Sequence, residues 1–274
     1  MTRKRITQIF PFLLPLRKMQ RKNFFYIHMY FDKNSYAKTK EDNELLYKVF
    51  EAGSLLINDN SGFDLQYQIN KVYNLKLAAK TVNNILIQPG ETFSFWQLVK
   101  SADRYENYKD GLVLQDGKIV GEYGGGLCQL SNLIFWLLIH TPLTIVERHT
   151  HDIKTFSSEA SDIPEATDAT VSEGWLDLKV KNETNSIFQI KITFNDSYMQ
   201  GCILTNKELD FTYEIFDRDI SYYRKGCNVF QQVSIYQRKS DEKLQQFYDS
   251  LLYNNICEIG YQLHDDIEII EKGE

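Results

Sequence analysis

Three consecutive glycines, Gly124-Gly125-Gly126, lead into Leu127-Cys128-Gln129 and then into the most apolar stretch of the chain, Leu127 to His140. No other feature limits the fold as much. Glycines allow positive φ and close backbone approach, so a tight turn is expected there. A helix that is apolar on all sides has to be buried. Pro142 ends it, and Thr144 to Arg148 is expected as a strand returning alongside.

That order of elements carries chemistry. A thiol in the first turn of a helix lies beside unpaired backbone N–H groups and the positive end of the dipole, which favour the thiolate. The same N–H groups, with the Gln129 side chain, are candidates to hold an oxyanion. A thiol nucleophile needs a base, usually histidine. His149 and His151 stand at the end of the returning strand, where the topology brings them toward the start of the helix. Strand alternation puts both rings on one face with Glu147, while Asp152 opposes them, so either carboxylate is a candidate to orient a ring. Catalytic candidates are therefore Cys128, His149 and His151, with Gly124, Gly125, Gly126 and Gln129 beside the substrate. Two other readings stay open. Cys128 can be a packed residue in a protein that binds without catalysis, or Cys128, His149 and His151 can be zinc ligands, for which no fourth ligand is in view. No metal or other cofactor is assigned. His28, His140 and His264 are expected as surface or helix-end residues.

Elsewhere, Glu41 to Ile57 has Leu45, Leu46, Val49 and Phe50 at helical spacing, followed by a polar turn over Asn58 to Gly62. Lys71 to Asn84 is expected as a second helix, Ile85-Leu86-Ile87 as a short strand, and Pro89-Gly90 as a turn. Gly111 to Val120 is expected as a hairpin turning at Asp116-Gly117. From Trp175 the period becomes two. Leu176 to Val180, Phe188 to Phe194, Met199 to Leu204, Phe211 to Ile215 and Val229 to Tyr236 are expected as strands of an antiparallel sheet. Ser240 is placed to cap a helix through Leu252. The fold class expected is α+β, with helices in the N-terminal half around a Cys-bearing buried helix and an antiparallel β-sheet in the C-terminal half.

A net charge of −6 argues against nucleic acid as a partner. The charge is uneven, because every charge from Arg3 to Lys22 is positive and the first acid is Asp32. This segment has the basic start and short apolar run of a signal peptide. Pro11 and Pro15 interrupt the run, however, basic residues follow at once, and no small-x-small cleavage site appears. It is expected to be an arm packed on the domain or a segment lying on anionic lipid. No run approaches ~18 apolar residues, so the chain is expected to be cytoplasmic or peripheral to a membrane. The four cysteines are widely spaced and require neither a disulfide framework nor a zinc knuckle.

Three ordered strings, Pro89-Gly90-Glu91-Thr92-Phe93-Ser94-Phe95, Gly124 to Ser131 and Glu147-Arg148-His149-Thr150-His151, resemble the VanW family. Asp168-Ala169-Thr170 and Leu176 to Thr184 match its later motif. The resemblance covers roughly Asn60 to Thr205. It divides the chain into a basic arm and helix (1–57), a VanW-like domain (58–205) and a C-terminal β-rich extension with one helix (206–274). The family is associated with glycopeptide resistance clusters and bacterial cell-wall proteins, and some members look like thiol L,D-transpeptidases. The resemblance implies a peptidoglycan stem peptide or precursor as partner, Cys128 as nucleophile and His149 or His151 as base. It further implies Arg148 as a ligand for a substrate carboxylate and Phe95, with Phe93 and Trp96, as groove lining.

Overall fold

The computed structural model describes residues 10–57, 64–115, 118–154, 166–241, 243–264 and 266–271. Strands take 42% of the described residues and helices 23%. The strands run through both halves, which corrects the expectation of a helical N-terminal half and a sheet confined to the C-terminal half.

After a 3-10 turn at Pro11–Leu13 comes helix α1 (Leu14–Phe31), then β1 (Ser35–Tyr36) and β2 (Tyr47–Leu55). Strand β2 replaces the helix expected over Glu41 to Ile57. The apolar spacing there fits a helix that ends near Gly53, yet the segment runs on through Gly53 as a strand. Tyr47, Val49 and Phe50 also suit a pleated surface, where β2 pairs with a later strand over its whole length. The polar turn expected over Asn58 to Gly62 falls on residues outside those described. Helix α2 (Leu65–Val82) starts where the Asp64 carboxylate accepts the Gln66 N–H at 2.8 Å, and it buries Leu75, Ala78, Ala79 and Val82. Next come β3 (Ile85–Ile87), β4 (Glu91–Ser94), the short helix α3 (Phe95–Val99), and β5 (Asp110–Gln115) paired with β6 (Lys118–Tyr123). The hairpin register closes from Gln115 to Lys118, and the turn residues Asp116 and Gly117 lie outside those described.

Helix α4 (Cys128–Ile139) is the buried helix, with every residue from Leu133 to Ile139 in the core. It lies on a sheet of order β2-β11-β10-β3, where β10 is Phe188–Phe194 and β11 is Tyr198–Thr205. Gly201 of β11 makes that approach possible. A Cβ there would sit 2.6 Å from Leu137 Cδ1 and 3.2 Å from Leu133 Cδ2. After α4 come β7 (Thr144–Glu147), β8 (Ile153–Lys154) and β9 (Lys179–Lys181), and β1, β4, β9 and β7 form a second sheet in that order. The strand expected from Leu176 begins only at Lys179. The Asp177 carboxylate takes the N–H groups of Trp96 and Leu178 at 3.0 and 2.9 Å, which diverts the backbone from a ladder.

Beyond β11 are three long strands, β12 (Thr212–Lys225), β13 (Asn228–Asp241) and β14 (Gln246–Ile259), followed by β15 (Ile269–Glu271). The helix expected from Ser240 to Leu252 is instead the β13–β14 hairpin, paired from Asp241↔Gln246 to Phe230↔Glu258. Strand β8 joins this sheet in parallel with β14, which anchors the chain just beyond His151.

Candidate functional site

Helix α2 sets the triglycine turn. Asn74, fully buried, donates to Lys109 O (2.8 Å) and Gly125 O (3.0 Å) and accepts from Lys109 N (2.8 Å). Gly125 is packed backbone to backbone on Gly111, so a Cβ on it would lie 2.2 Å from Gly111 O. Gly124 (φ +73°) and Gly126 (φ +95°) both need the left-handed region. The glycines thus shape the turn that presents Cys128 at the start of α4, and Gly124 and Gly126 also line a cleft of about 1430 Å³. Cys128, Arg148, His149, His151, Trp96 and Trp175 are among its other lining residues.

In the cleft lining the Cys128 thiol approaches Val171 O at 3.6 Å and lies close enough to the His151 ring to raise its pKa. On its other side the ring places Nδ1 2.9 Å from Asp168 Oδ2 and 2.9 Å from Thr170 Oγ1. Asp168 accepts four bonds: from the His151 N–H and Nδ1 at Oδ2, and from Arg148 Nη2 and Thr150 Oγ1 at Oδ1. Burial works against a charged imidazole, but the bonds to Asp168 and Cys128 outweigh it and push the His151 pKa up to about 10. Burial would likewise raise Asp168, and the bonds from His151 with the Arg148 charge bring it down to about 2. Both groups are charged at neutral pH.

The first turn of α4 holds the acid's segment. Ser131 Oγ lies 2.6 Å from Ala169 O, and Asn132 Oδ1 accepts the Ala169 N–H at 2.8 Å. Arg148 completes the support. It donates to Asp168 O and Oδ1, Ala166 O and Asn255 Oδ1 at 2.7–2.9 Å, and its guanidinium lies 4.4 Å over the Tyr253 ring.

Several expected roles change. Arg148 is spent on Asp168, Ala166 and Asn255, so it positions the acid and does not await a substrate carboxylate. The Gln129 side chain turns away to Ser54 Oγ (2.8 Å) and Leu55 O (2.6 Å), and its N–H bonds Gly126 O, which removes it from the oxyanion candidates. Phe95 and Phe93 are wholly buried and line no groove, whereas Trp96 does reach the cleft. His149 faces the cleft, but its ring bonds Glu147 Oε1 at 3.1 Å, and Glu147 Oε2 is held by Lys179 at 2.9 Å. Glu147 therefore orients His149, while Asp168 orients His151. Among the described residues no group of three His, Cys, Asp or Glu is placed to hold a metal ion. His140, expected as an ordinary helix-end residue, is buried, stacked 3.6 Å from Phe50, and pushed down to about 4 by that burial. None of the four cysteines forms a disulfide.

Fold and site together define a strand-dominated protein in which a helix-start cysteine, a histidine and an aspartate meet below an aromatic-rimmed cleft. The VanW like protein family model matches residues 70–204, which include all three. The chain is 46% identical over 275 residues to the vancomycin B-type resistance protein VanW of Enterococcus faecalis (strain ATCC 700802 / V583), covering 100% of both chains. It is 33% identical over 122 residues to YoaR of Bacillus subtilis (strain 168), covering 44% of this chain and 39% of that one. No solved structure matches it. The chain belongs to the VanW family.

Proposed function

We propose that this protein is a cysteine acyltransferase acting on peptidoglycan stem peptides or their precursors, in support of glycopeptide resistance. The placement of the His151 ring, with Nδ1 2.9 Å from Asp168 Oδ2 and the Cys128 thiol close enough to help keep it protonated, carries this reading. Sγ, as the thiolate, attacks an amide carbonyl carbon and forms a C–S bond. The tetrahedral oxyanion is met by the Cys128 N–H at the start of α4. His151, held by Asp168 at Nδ1, gives the Nε2 proton to the leaving amine as the C–N bond breaks. An acceptor amine, or water, then loses its proton to His151 and attacks the thioester, and the C–S bond breaks to restore the thiolate.

With Arg148 occupied, recognition of a peptide carboxylate falls to Arg21 and Lys100 of the cleft wall, for which no carboxylate partner is found among the described residues. The name of the enterococcal relative, a vancomycin B-type resistance protein, supports the resistance setting.

The test is intact-protein mass spectrometry after incubation with synthetic stem peptides. The expected product is a peptidyl adduct on Cys128 that is absent from C128A. If wild type gives no adduct and Cys128 alkylates at the same rate in wild type and H151A, the site binds without catalysis and the proposal is overturned.

A further inference from the structure

Helix α1 is built inside out. Successive residues of an α-helix advance by about 100° around its axis, so Leu16, Phe24, Ile27, Tyr30 and Phe31 share one broad face. All five are exposed, Tyr30 at 83% and Phe31 at 76%. Lys18, Arg21 and Lys22 turn the other way, toward the body of the protein. Lys18 pairs with Glu122 at 2.7 Å, Lys22 pairs with Glu173 at 2.8 Å, and Arg21 lies 4.2 Å over Trp175. Tyr26 adds a bond to Glu173 at 2.8 Å, and Met29 is buried. A surface helix of a globular protein normally directs cations to water and apolar residues to the core. Here the polar contacts fasten α1 across the mouth of the cleft and leave the apolar stripe outward.

We infer that this face lies in the interfacial layer of an anionic lipid bilayer, which makes α1 an in-plane anchor that holds the cleft at the membrane surface. The charge distribution selects that occupant. No acidic residue occurs before Asp32, Arg17 borders the exposed stripe, and Arg3-Lys4-Arg5 precede the helix. These cations would oppose a second copy of the same helix, whereas an anionic headgroup layer accepts both them and the apolar side chains. The spread of Phe and Tyr along the stripe suits the headgroup boundary, where rings are favoured. The helix does not need to span, and no described helix is long and apolar enough to do so. The inference is independent of the acyl-transfer reading.

The experiment is co-sedimentation of the full chain with large vesicles of phosphatidylcholine, with and without phosphatidylglycerol. The wild type is compared with I27E/F31E, whose two sites face away from the body and leave the fold intact, as checked by circular dichroism and by alkylation of Cys128. The wild type should pellet with the anionic vesicles, and I27E/F31E should partition about tenfold less. Three results would overturn the inference: a wild type that stays in the supernatant, equal pelleting of the two proteins, or a wild-type dimer in size-exclusion chromatography with light scattering that I27E/F31E converts to monomer.

Discussion

Replacing Asp168 with Asn removes a charge from the site while keeping its shape. The His151 pKa stands at about 10 against an ordinary 6.5, with burial opposing the charged ring. At about 1.36 kcal/mol per pH unit this is a preference of about 5 kcal/mol for the imidazolium. The ring is 34% exposed, so solvent screening reduces its share in stability to roughly half of that. Asp168, 2.9 Å from Nδ1, is the first of the two partners that raise the ring, and Cys128 is the second. D168N should therefore lower the His151 midpoint by about 2 pH units and leave the remainder to the sulfur. A raised histidine contributes stability that is fully present below pH 6.5 and is lost as pH rises through about 10. In D168N that loss should be complete about 2 pH units earlier. The assay is an NMR titration of ring-labelled histidine, with the His151 signal assigned by its loss in H151Q. A D168N midpoint within about half a pH unit of wild type would refute the argument that this acid holds the ring charged.

His140 gives a second test with the opposite sign. Its folded pKa of about 4 lies below the ordinary 6.5, so as pH falls below 6.5 the unfolded chain takes up the proton first. Wild type should lose about 3 kcal/mol relative to H140F between about pH 7 and pH 4, read from urea midpoints, because phenylalanine keeps the stack on Phe50 without titrating. Parallel stability curves for the two proteins would count against it. A third test separates space from φ at two glycines. In G125A the new Cβ meets Gly111 O at 2.2 Å, so backbone must move, at a cost of about 3 kcal/mol and with slower alkylation of Cys128. At Gly90 (φ +81°) nothing lies within 4 Å, and G90A should cost only about 1 kcal/mol, with alkylation unchanged. Similar losses for both would show that crowding at the triglycine turn is not what makes Gly125 necessary.

The centre of the site was legible because it is local. Glycine run, thiol, buried helix and returning strand follow one another within about thirty residues, and each is set by short-range chemistry. The strands outside that stretch depend on distant partners. Leu45, Leu46, Val49 and Phe50 fit a helical stripe, and only pairing with β11, some 150 residues away, makes the segment a strand. Gln246 to Ile259 has the same dependence on β13, and Ser240 serves as a ladder residue opposite Phe247 where its type suggested a cap. Apolar spacing in short amphipathic runs is ambiguous between the two periods until a partner is known.

The acid that each histidine meets shows where local reasoning stops. Alternation puts Glu147 on the face of both histidines and sets Asp152 opposite, yet the acid on His151 is Asp168, which arrives from a later segment pinned to the first turn of α4 by Ser131 and Asn132. The only trace of it in the sequence is Asp168-Ala169-Thr170 as part of the family resemblance. Arg148 follows the same logic. An arginine beside a catalytic pair suggests anion binding, because its fork matches a carboxylate. The fork does bind one, but the carboxylate belongs to the protein, and the remaining donors reach Asn255 on β14. A buried guanidinium with its donors satisfied fixes geometry and has little left for a ligand. The C-terminal sheet thus supports the site through Asn255 and Tyr253, from beyond the 70–204 segment that the family model matches. Trimming the chain to that segment would leave Arg148 with a lost partner and Asp168 less firmly held, so the working unit of this site is larger than its motifs.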